Sequence, residues 1–315
     1  MAHTTSNTQL LTRQEVWSRE LKDVLLDELS AQRYVRWLSD FPEGNTFTIP
    51  SIGEATVRDY TENSSVQYDA LDTGEFQFTI SEYVSSGTFI TKKAMQDMFY
   101  MSQLVSSFVP KQRRAIEEKL ETDIFALAES GQTTEDPNAI NGRSHRLIGQ
   151  GTSNIIDVTD FALASLALKK ANVPMNNMIA IVDPSVGYTL STLTNLANVS
   201  NNPQWEGIVT TGITTGMKFI RNVYGFDVWE SNYLPSISDT TVDGTTNIPT
   251  ANVVNQFFSA DASVVPFVGA WRQMPEVDAE YNKDLQREEY VTTARYGVSF
   301  FRPENMVTIC TNTAV

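Results

Sequence analysis

The sequence predicts a mixed α+β fold, and three stretches of the chain carry that prediction. Residues 109–130, VPKQRRAIEEKLETDIFALAES, have the texture of one long helix: Ile116, Leu120, Ile124 and Leu127 return to one face at intervals of four, four and three. Residues 45–90 alternate instead. Phe47 and Ile49 interleave with Thr46 and Thr48, and Phe76, Phe78 and Ile80 with Gln77, Thr79 and Ser81, the two-residue period of half-buried strands. From Ile155 onward, short helical and strand patterns follow one another as in an α/β layer.

Taken in order, the chain opens with a largely polar stretch, residues 1–12. Thr12 is a candidate cap for a helix from Arg13 to about Leu38, with Glu15 completing a capping box and Trp17, Leu21, Val24, Leu25 and Leu29 forming the apolar stripe. Phe41-Pro42-Glu43-Gly44 stops it. In the alternating region, Val57, Arg58, Asp59 and Tyr60 continue in strand style, and residues 61–74, TENSSVQYDALDTG, are polar and acidic. The simplest arrangement is a long antiparallel excursion with a mobile tip. Its few apolar residues make no core, and a lone hairpin is marginal in water, so it should lie on something else.

Residues 90–107 return to helical texture, with a stripe of Met95, Met98, Phe99, Met101 and Leu104 that suits core packing or an adaptable contact. In the long helix that follows, Pro110 fits the first turn. Lys111, Arg113 and Arg114 then fall where positive charge opposes the macrodipole, so they are available to a partner; a solvated charged face is the alternative reading. Residues 131–151 read as a loop. Asp160 is the expected cap of a helix through Asn172, ended by Val173-Pro174. Met178–Val182 is a short apolar run, hence a buried strand, and Asp183-Pro184 starts a helix to about Leu196. Residues 198–216, with Trp205, read as loop, 219–229 as strands and 234–250 as a polar loop. Val264, Val265, Phe267, Val268 and Val277 read as strand, and residues 290–309 as a final hairpin turning near Arg295-Tyr296-Gly297 or Arg302-Pro303.

Composition narrows the function. The chain has 315 residues, 41% hydrophobic and 19% charged, enough for a large core or two lobes. No apolar run reaches the ~18 residues that a membrane helix needs, and the first residues lack the pattern of a signal peptide. Cys310 stands alone, so no internal disulfide forms; an intracellular folding environment is the expectation. The formal charge of −15, from 23 basic and 38 acidic residues, argues against non-specific nucleic-acid binding.

The sequence carries few signatures of catalytic or ligand chemistry. His3 and His145 are the only histidines, with no zinc-ligand spacing, no Gly-x-Ser-x-Gly elbow and no phosphate-binding loop. Gly149-Gln150-Gly151 lacks the third glycine of a dinucleotide fingerprint. Asp239 and Asp243 read as turn residues, because calcium takes six to eight oxygens. Glu117, Glu118 and Glu121 read as a charged helix face. Asn63-Ser64-Ser65 and Asn198-Val199-Ser200 match a glycosylation pattern that means little without secretion. No catalytic residue, cofactor site or metal site is expected.

The order of elements resembles the major capsid proteins of tailed double-stranded DNA bacteriophages, which share the Hong Kong 97-type fold. The resemblance rests on Ala171-Asn172-Val173-Pro174 leading to Ile181-Val182-Asp183-Pro184, on Val223-Tyr224-Gly225-Phe226-Asp227-Val228 followed by Ser231-Asn232-Tyr233-Leu234-Pro235, and on Tyr296-Gly297, Arg302-Pro303 and Val307-Thr308-Ile309. It implies an N-terminal arm (1–44), an extended loop (45–90), a peripheral domain holding the spine helix (91–150 and 268–315) and an axial domain (151–267). It implies self-assembly of hexamers and pentamers into an icosahedral procapsid that expands and fills with DNA, made in the host cytoplasm and retained in the virion. Implied partners are other copies of the chain, a portal, decoration proteins and, with the first helix starting near Arg13, a separate scaffolding protein. A compartment shell of the encapsulin type, a tail or adhesion protein, and a hydrolase using His145 are the alternatives.

Some members of that family crosslink through a lysine in the extended loop. Here no lysine falls between Lys22 and Lys92, so a shell without covalent links is expected. The loop instead carries Glu54, Asp59, Glu62, Asp69, Asp72, Glu75 and Glu82 against Arg58 alone. The expected inter-subunit contacts are therefore these acids (Glu54, Asp59, Glu62, Asp69, Asp72 and Glu75 foremost) seated near Lys111, Arg113 and Arg114 of a neighbour. Apolar help is expected from Trp17, Phe47, Phe76 and Phe78, since exposed ion pairs are worth only ~0.2–1 kcal/mol each.

Overall fold

The helix Met101–Ser130 lies between two β-sheets and contributes to the apolar core they share. At 30 residues it is about 45 Å long. The structure is a computed structural model that describes residues 29–39, 44, 46–53, 57–66, 68, 73–97, 101–130, 138–193, 219–238, 241–242 and 246–313. The helix starts ahead of the expected position, so Pro110 lies inside it and not in its first turn. The ring removes one backbone hydrogen bond there. Packing holds the segment nonetheless, with Phe108 edge-on to Tyr290 at 6.2 Å between centroids.

In chain order the strands are β1 (Val35–Leu38), β2 (Thr46–Ile52), β3 (Thr73–Thr79), β4 (Glu82–Thr91), β5 (Ala139–Ile140), β6 (Arg143–Ser144), β7 (Arg146–Ile148) and β8 (Met178–Val182). Then follow β9 (Phe219–Val223), β10 (Phe226–Glu230), β11 (Thr241–Val242), β12 (Thr246–Asn247), β13 (Asn252–Ser259), β14 (Phe267–Asn282), β15 (Arg287–Phe300) and β16 (Met306–Asn312). A four-stranded sheet runs β1-β14-β15-β4 and a six-stranded sheet runs β7-β16-β13-β8-β10-β9, while β2 and β3 pair only with each other.

The six-stranded sheet is covered on both faces. Ile179, Ile181 and Phe258 join Leu120, Ile124 and Phe125 of the long helix. On the opposite face, Ala180, Val182, Val228 and Phe257 pack with Phe161, Leu168, Val186 and Leu190 of the helices Val158–Lys170 and Pro184–Thr192. Burial from both sides is why Met178–Val182 reads as an unbroken apolar run. The four-stranded sheet presents Phe267 and Tyr296 to the other side of the long helix. Polar clamps fix the helix lengthwise. Gln112 Nε2 donates to the Tyr290 carbonyl (3.0 Å) and Gln112 Oε1 accepts from Thr292 (2.9 Å), Tyr296 donates to Asp123 (2.7 Å), and Gln256 donates to the Phe125 carbonyl (2.9 Å).

Local rules explain the smaller pieces. Asp183 caps its helix by accepting from the Ser185 amide at 2.9 Å, with Pro184 at the first helical position. The cap of the preceding helix is Asp157; Asp160, expected in that role, is the third helical residue and takes the Asp157 amide at 2.8 Å, the return half of a capping box. Tyr224 and Gly225, at φ 50° and 87°, make the tight turn between β9 and β10.

Other expectations are corrected. Residues 31–38 are not helical: Ala31–Tyr34 form a 3-10 turn and β1 runs parallel to β14. Val35 and Trp37 have the two-residue period, and pairing with Phe267–Ala270 outweighs helical propensity. Residues 13–28 lie outside the described residues. Residues 57–60 carry no strand, and β4, read as part of the excursion, pairs along β15. The loop reading of 131–151 and 234–250 gives way to the short pairs β5–β6 and β11–β12 and to β7. β13 was not foreseen, while Val264 and Val265 fall in a turn. The final hairpin does not form: Arg295–Gly297 lie within β15, and residues 301–305 carry the chain from one sheet to the other, where β16 joins β13 and β7. Thus β7 and β16, grouped by sequence with the peripheral part, are strands of the six-stranded sheet. The helix after Asp183 ends at Thr192. Trp205, Asp239 and Asp243 lie outside the described residues.

Candidate assembly surface

β1 and the root of the excursion are both seated at neighbouring positions of the β14–β15 ladder, where Gly269 faces Val298 and Ala270 faces Gly297. Adjacent positions of a strand point to opposite faces. On the face toward the long helix, a Cβ at Gly269 would meet the Trp37 ring at 2.8 Å, so only glycine lets β1 lie this close. Trp37 stacks on Trp271 at 5.4 Å and donates to the Gln32 carbonyl at 3.2 Å. On the other face, a Cβ at Gly297 would stand 2.8 Å from Ile80 Cα and 2.9 Å from the Thr79 carbonyl oxygen. There Phe78 and Ile80 are buried with Val268 and Ala270.

The excursion is a β2–β3 hairpin in register from Thr46 opposite Thr79 to Ile52 opposite Thr73, with strands about 23 Å long. Its base is tied to its own subunit. Phe47 and Phe76 are half-buried against the Phe78 cluster, and Phe76 packs edge-on to Phe301 at 5.0 Å. Phe78, expected to touch a neighbour, is 1% exposed and is therefore a root residue of its own subunit. Beyond the strands the apolar side chains are bare: Val57 is 97% exposed and Tyr68 93%, with Tyr60 and Val66 also exposed. Asp59, Glu62 and Glu75 are exposed beside them. Trp17, Glu54, Asp69 and Asp72 lie outside the described residues.

The basic cluster differs from its expected setting. Lys111, Arg113 and Arg114 sit about three turns into the helix, where the macrodipole no longer acts. Arg113 pairs with Glu117 and Arg114 with Glu118, each at 3.0 Å, one turn along. Lys111 and Arg113 remain exposed, and Arg114 is half-buried. Sequence reading also missed the β14–β15 ribbon, along which Met274 and Tyr83 near its middle and Leu285 and Phe89 near its far end are exposed. The alternation Glu276-Val277-Asp278-Ala279-Glu280-Tyr281 was the available signal for that ribbon.

Several titratable groups are buried inside the body. His145 is buried, its Nδ1 3.2 Å from the Arg143 carbonyl oxygen, and burial lowers its pKa. Burial pushes the Cys310 thiol up to about 12. Asp160, fully buried, is pushed up to about 6 by burial, against the pull of the Asp157 and Gln150 amides it accepts. Among the described residues no three His, Cys, Asp or Glu side chains group as metal ligands.

Residues 74–309 match the family described as phage capsid protein. Solved structures share the fold across nearly the whole chain. One from Mycobacterium phage Che8 is 18% identical, covers 95% of this chain and 97% of its own, and has a TM-score of 0.67. The capsid of cyanophage P-SCSP1u is 17% identical over 96% and 93%, with a TM-score of 0.70. The mature capsid of bacteriophage PhiM1 is 10% identical over 100% and 97%, with a TM-score of 0.71. A search of curated proteins finds no significant match.

Proposed function

The chain belongs to the phage capsid protein family, a shell protein and not an enzyme, and we propose that it assembles as hexamers and pentamers into a closed icosahedral head around double-stranded DNA. The observation that carries this reading is the hairpin. It is rooted firmly in its own subunit by Phe78 and Ile80, yet it projects bare Val57, Tyr60, Val66 and Tyr68. Such side chains gain only by burial against another copy. The domain reading is of the Hong Kong 97 type: N-terminal arm, extended hairpin, peripheral layer of the four-stranded sheet with the spine helix, and axial layer of the six-stranded sheet. A separate scaffolding protein directs curvature, and portal and decoration proteins complete the virion, which assembles in the host cytoplasm. The net charge of −15 suits a wall along which DNA slides without being held.

The test is electron microscopy of the chain co-expressed with a candidate scaffolding protein. Closed shells of uniform size are expected; monomers or open tubes alone would reject the reading.

The hairpin of one subunit rests near the spine helix of its neighbour, its acids facing Lys111, Arg113 and Arg114. The prior pairing of both arginines makes the charge term small, so the apolar tip supplies most of the contact. Reversing Arg113 and Arg114 to Glu should weaken shells more at low salt than at high salt; equal effects would reject this seat. With no lysine between Lys22 and Lys92, particles boiled in detergent should run as single subunits, and a ladder would show crosslinking.

A further inference from the structure

Residues 1–28 join the body through Leu29 and Ser30, and at that point one side chain of the spine helix holds the chain. Glu121 is 0% exposed. Its Oε1 accepts from the Ser30 amide at 2.9 Å and the Ala31 amide at 3.0 Å, and its Oε2 accepts from the Ala31 amide at 2.8 Å. The Ser30 hydroxyl adds a long contact of 3.5 Å. These donors are the first amides of the 3-10 turn Ala31–Tyr34, whose own N-terminal residue makes no side-chain cap. Glu121 thus caps a turn some ninety residues earlier in the sequence. Two nearby groups bear on the same carboxylate. Arg114, two turns earlier, contributes favourable charge but is bonded to Glu118 at 3.0 Å; Tyr34 lies close enough to feel the negative charge.

We propose that Glu121 is the residue that positions the N-terminal arm, a carboxylate latch between the spine helix and the point where the arm enters the body. The strand β1 that follows is fixed by other means, its parallel ladder to β14 and the Trp37 ring over Gly269. The latch therefore governs the preceding residues, Leu29 to Tyr34, separately from β1. The latch thus fixes the course of the chain at Ser30 and Ala31, next to the point where residues 1–28 join it. This rests on the assembly reading above for its consequence, because an arm that starts in a wrong direction meets the wrong neighbour, but the latch itself is a property of the single subunit.

The experiment is hydrogen exchange followed by mass spectrometry on full-length unassembled subunits, comparing wild type with Glu121→Gln and Glu121→Ala. Glutamine keeps the size but loses the charge, and with its oxygen at the Oε1 position its NH2 stands against the Ala31 amide, a donor where Oε2 accepted at 2.8 Å. Peptides covering 29–34 should exchange about tenfold or more faster in both variants, the range expected for losing charged hydrogen bonds. Peptides of β1, β14 and β15 should change little. Trypsin should cut at Arg33 sooner in the variants. Unchanged exchange and cleavage at 29–34 in both variants would overturn the proposal. So would acceleration spread evenly over the whole spine helix and both sheets, which is what a general packing defect gives. A subunit with the selective effect that nevertheless forms no shells would uphold the latch and count against the assembly reading instead.

Discussion

Gly297→Ala tests the root of the hairpin. The new methyl would lie 2.8 Å from Ile80 Cα, 2.9 Å from the Thr79 carbonyl oxygen and 3.2 Å from Phe78 Cζ. Two of the three are backbone atoms, which cannot rotate aside, so either β15 or the 78–80 segment must move. Overpacking of this kind costs about 1–3 kcal/mol. If the root lifts instead, part of the burial of Phe78 and Ile80 is lost, each worth about 1.5–3 kcal/mol when complete. The expected outcome is a loss of about 1–3 kcal/mol in urea unfolding of unassembled subunits, with faster amide exchange confined to residues 76–80. Two other glycines serve as controls. Gly269→Ala meets Val35 Cγ1 and the Trp37 ring, which are side chains, so it should cost less and loosen β1 in place of the hairpin. Gly87→Ala meets nothing closer than Val291 Cγ2 at 3.6 Å and should be close to neutral. If Gly297→Ala behaves like Gly87→Ala, the close crossing of the hairpin over β15 is wrong.

Asp160 makes the subunit sensitive to pH. Its carboxyl is raised from 3.8 to about 6 by burial, so the folded state holds the proton more tightly than the unfolded chain. The stabilisation is complete below the unfolded value and is lost as pH rises through about 6, at about 1.4 kcal/mol per pH unit or about 3 kcal/mol in all. Unfolding midpoints at pH 5 and pH 7.5 should therefore differ more for wild type than for Asp160→Asn, and parallel profiles would refute the assignment. Tyr296→Phe removes the 2.7 Å hydrogen bond to Asp123, which also pairs with Lys119. It should cost about 1–2 kcal/mol in unfolding free energy, and a loss below a few tenths would mean that the hydroxyl is not needed to fix the helix.

The parts of the fold that could be read from sequence are those decided locally. Met178–Val182 and Asp183-Pro184 combine a continuous apolar run with a cap and a proline at the first turn, and both formed where expected. The strand reading of 219–229 also holds, though the Tyr224-Gly225 turn that divides it into β9 and β10 was not part of that reading. The failures share a cause, namely partners distant in sequence. Residues 35–38 become a strand because Phe267–Ala270 offer an edge. The reach of β15 follows from β14 on one side and β4 on the other, and its separation from β16 follows from β13 and β7 claiming the latter. Asp160 lost the cap to Asp157 because the box allows an acid at both positions. For the candidate surface, the alternation of Phe76, Phe78 and Ile80 revealed a buried face but not whose core would bury it. Likewise the macrodipole argument for the cluster at Lys111, Arg113 and Arg114 falls away because the helix starts at Met101.

The two projecting segments share one mount. Gly269 and Gly297 belong to neighbouring rungs of the β14–β15 ladder: β1 pairs along the β14 edge with its Trp37 ring beside Gly269, and the hairpin root packs on the other face at Gly297. That pair is held to the spine helix through Gln112 with Tyr290 and Thr292, and through Asp123 with Tyr296. The helix is held in turn to the six-stranded sheet by Gln256 and the Phe125 carbonyl. A force applied to the hairpin by a neighbour is therefore carried into β15 and, through these short polar contacts, into the helix whose Glu121 grips the start of the arm. Packed interiors shift between discrete arrangements instead of deforming continuously. If the subunit works in a shell as proposed, hairpin and arm roots should respond together, because Ile80 and β1 are both tied to the common ladder.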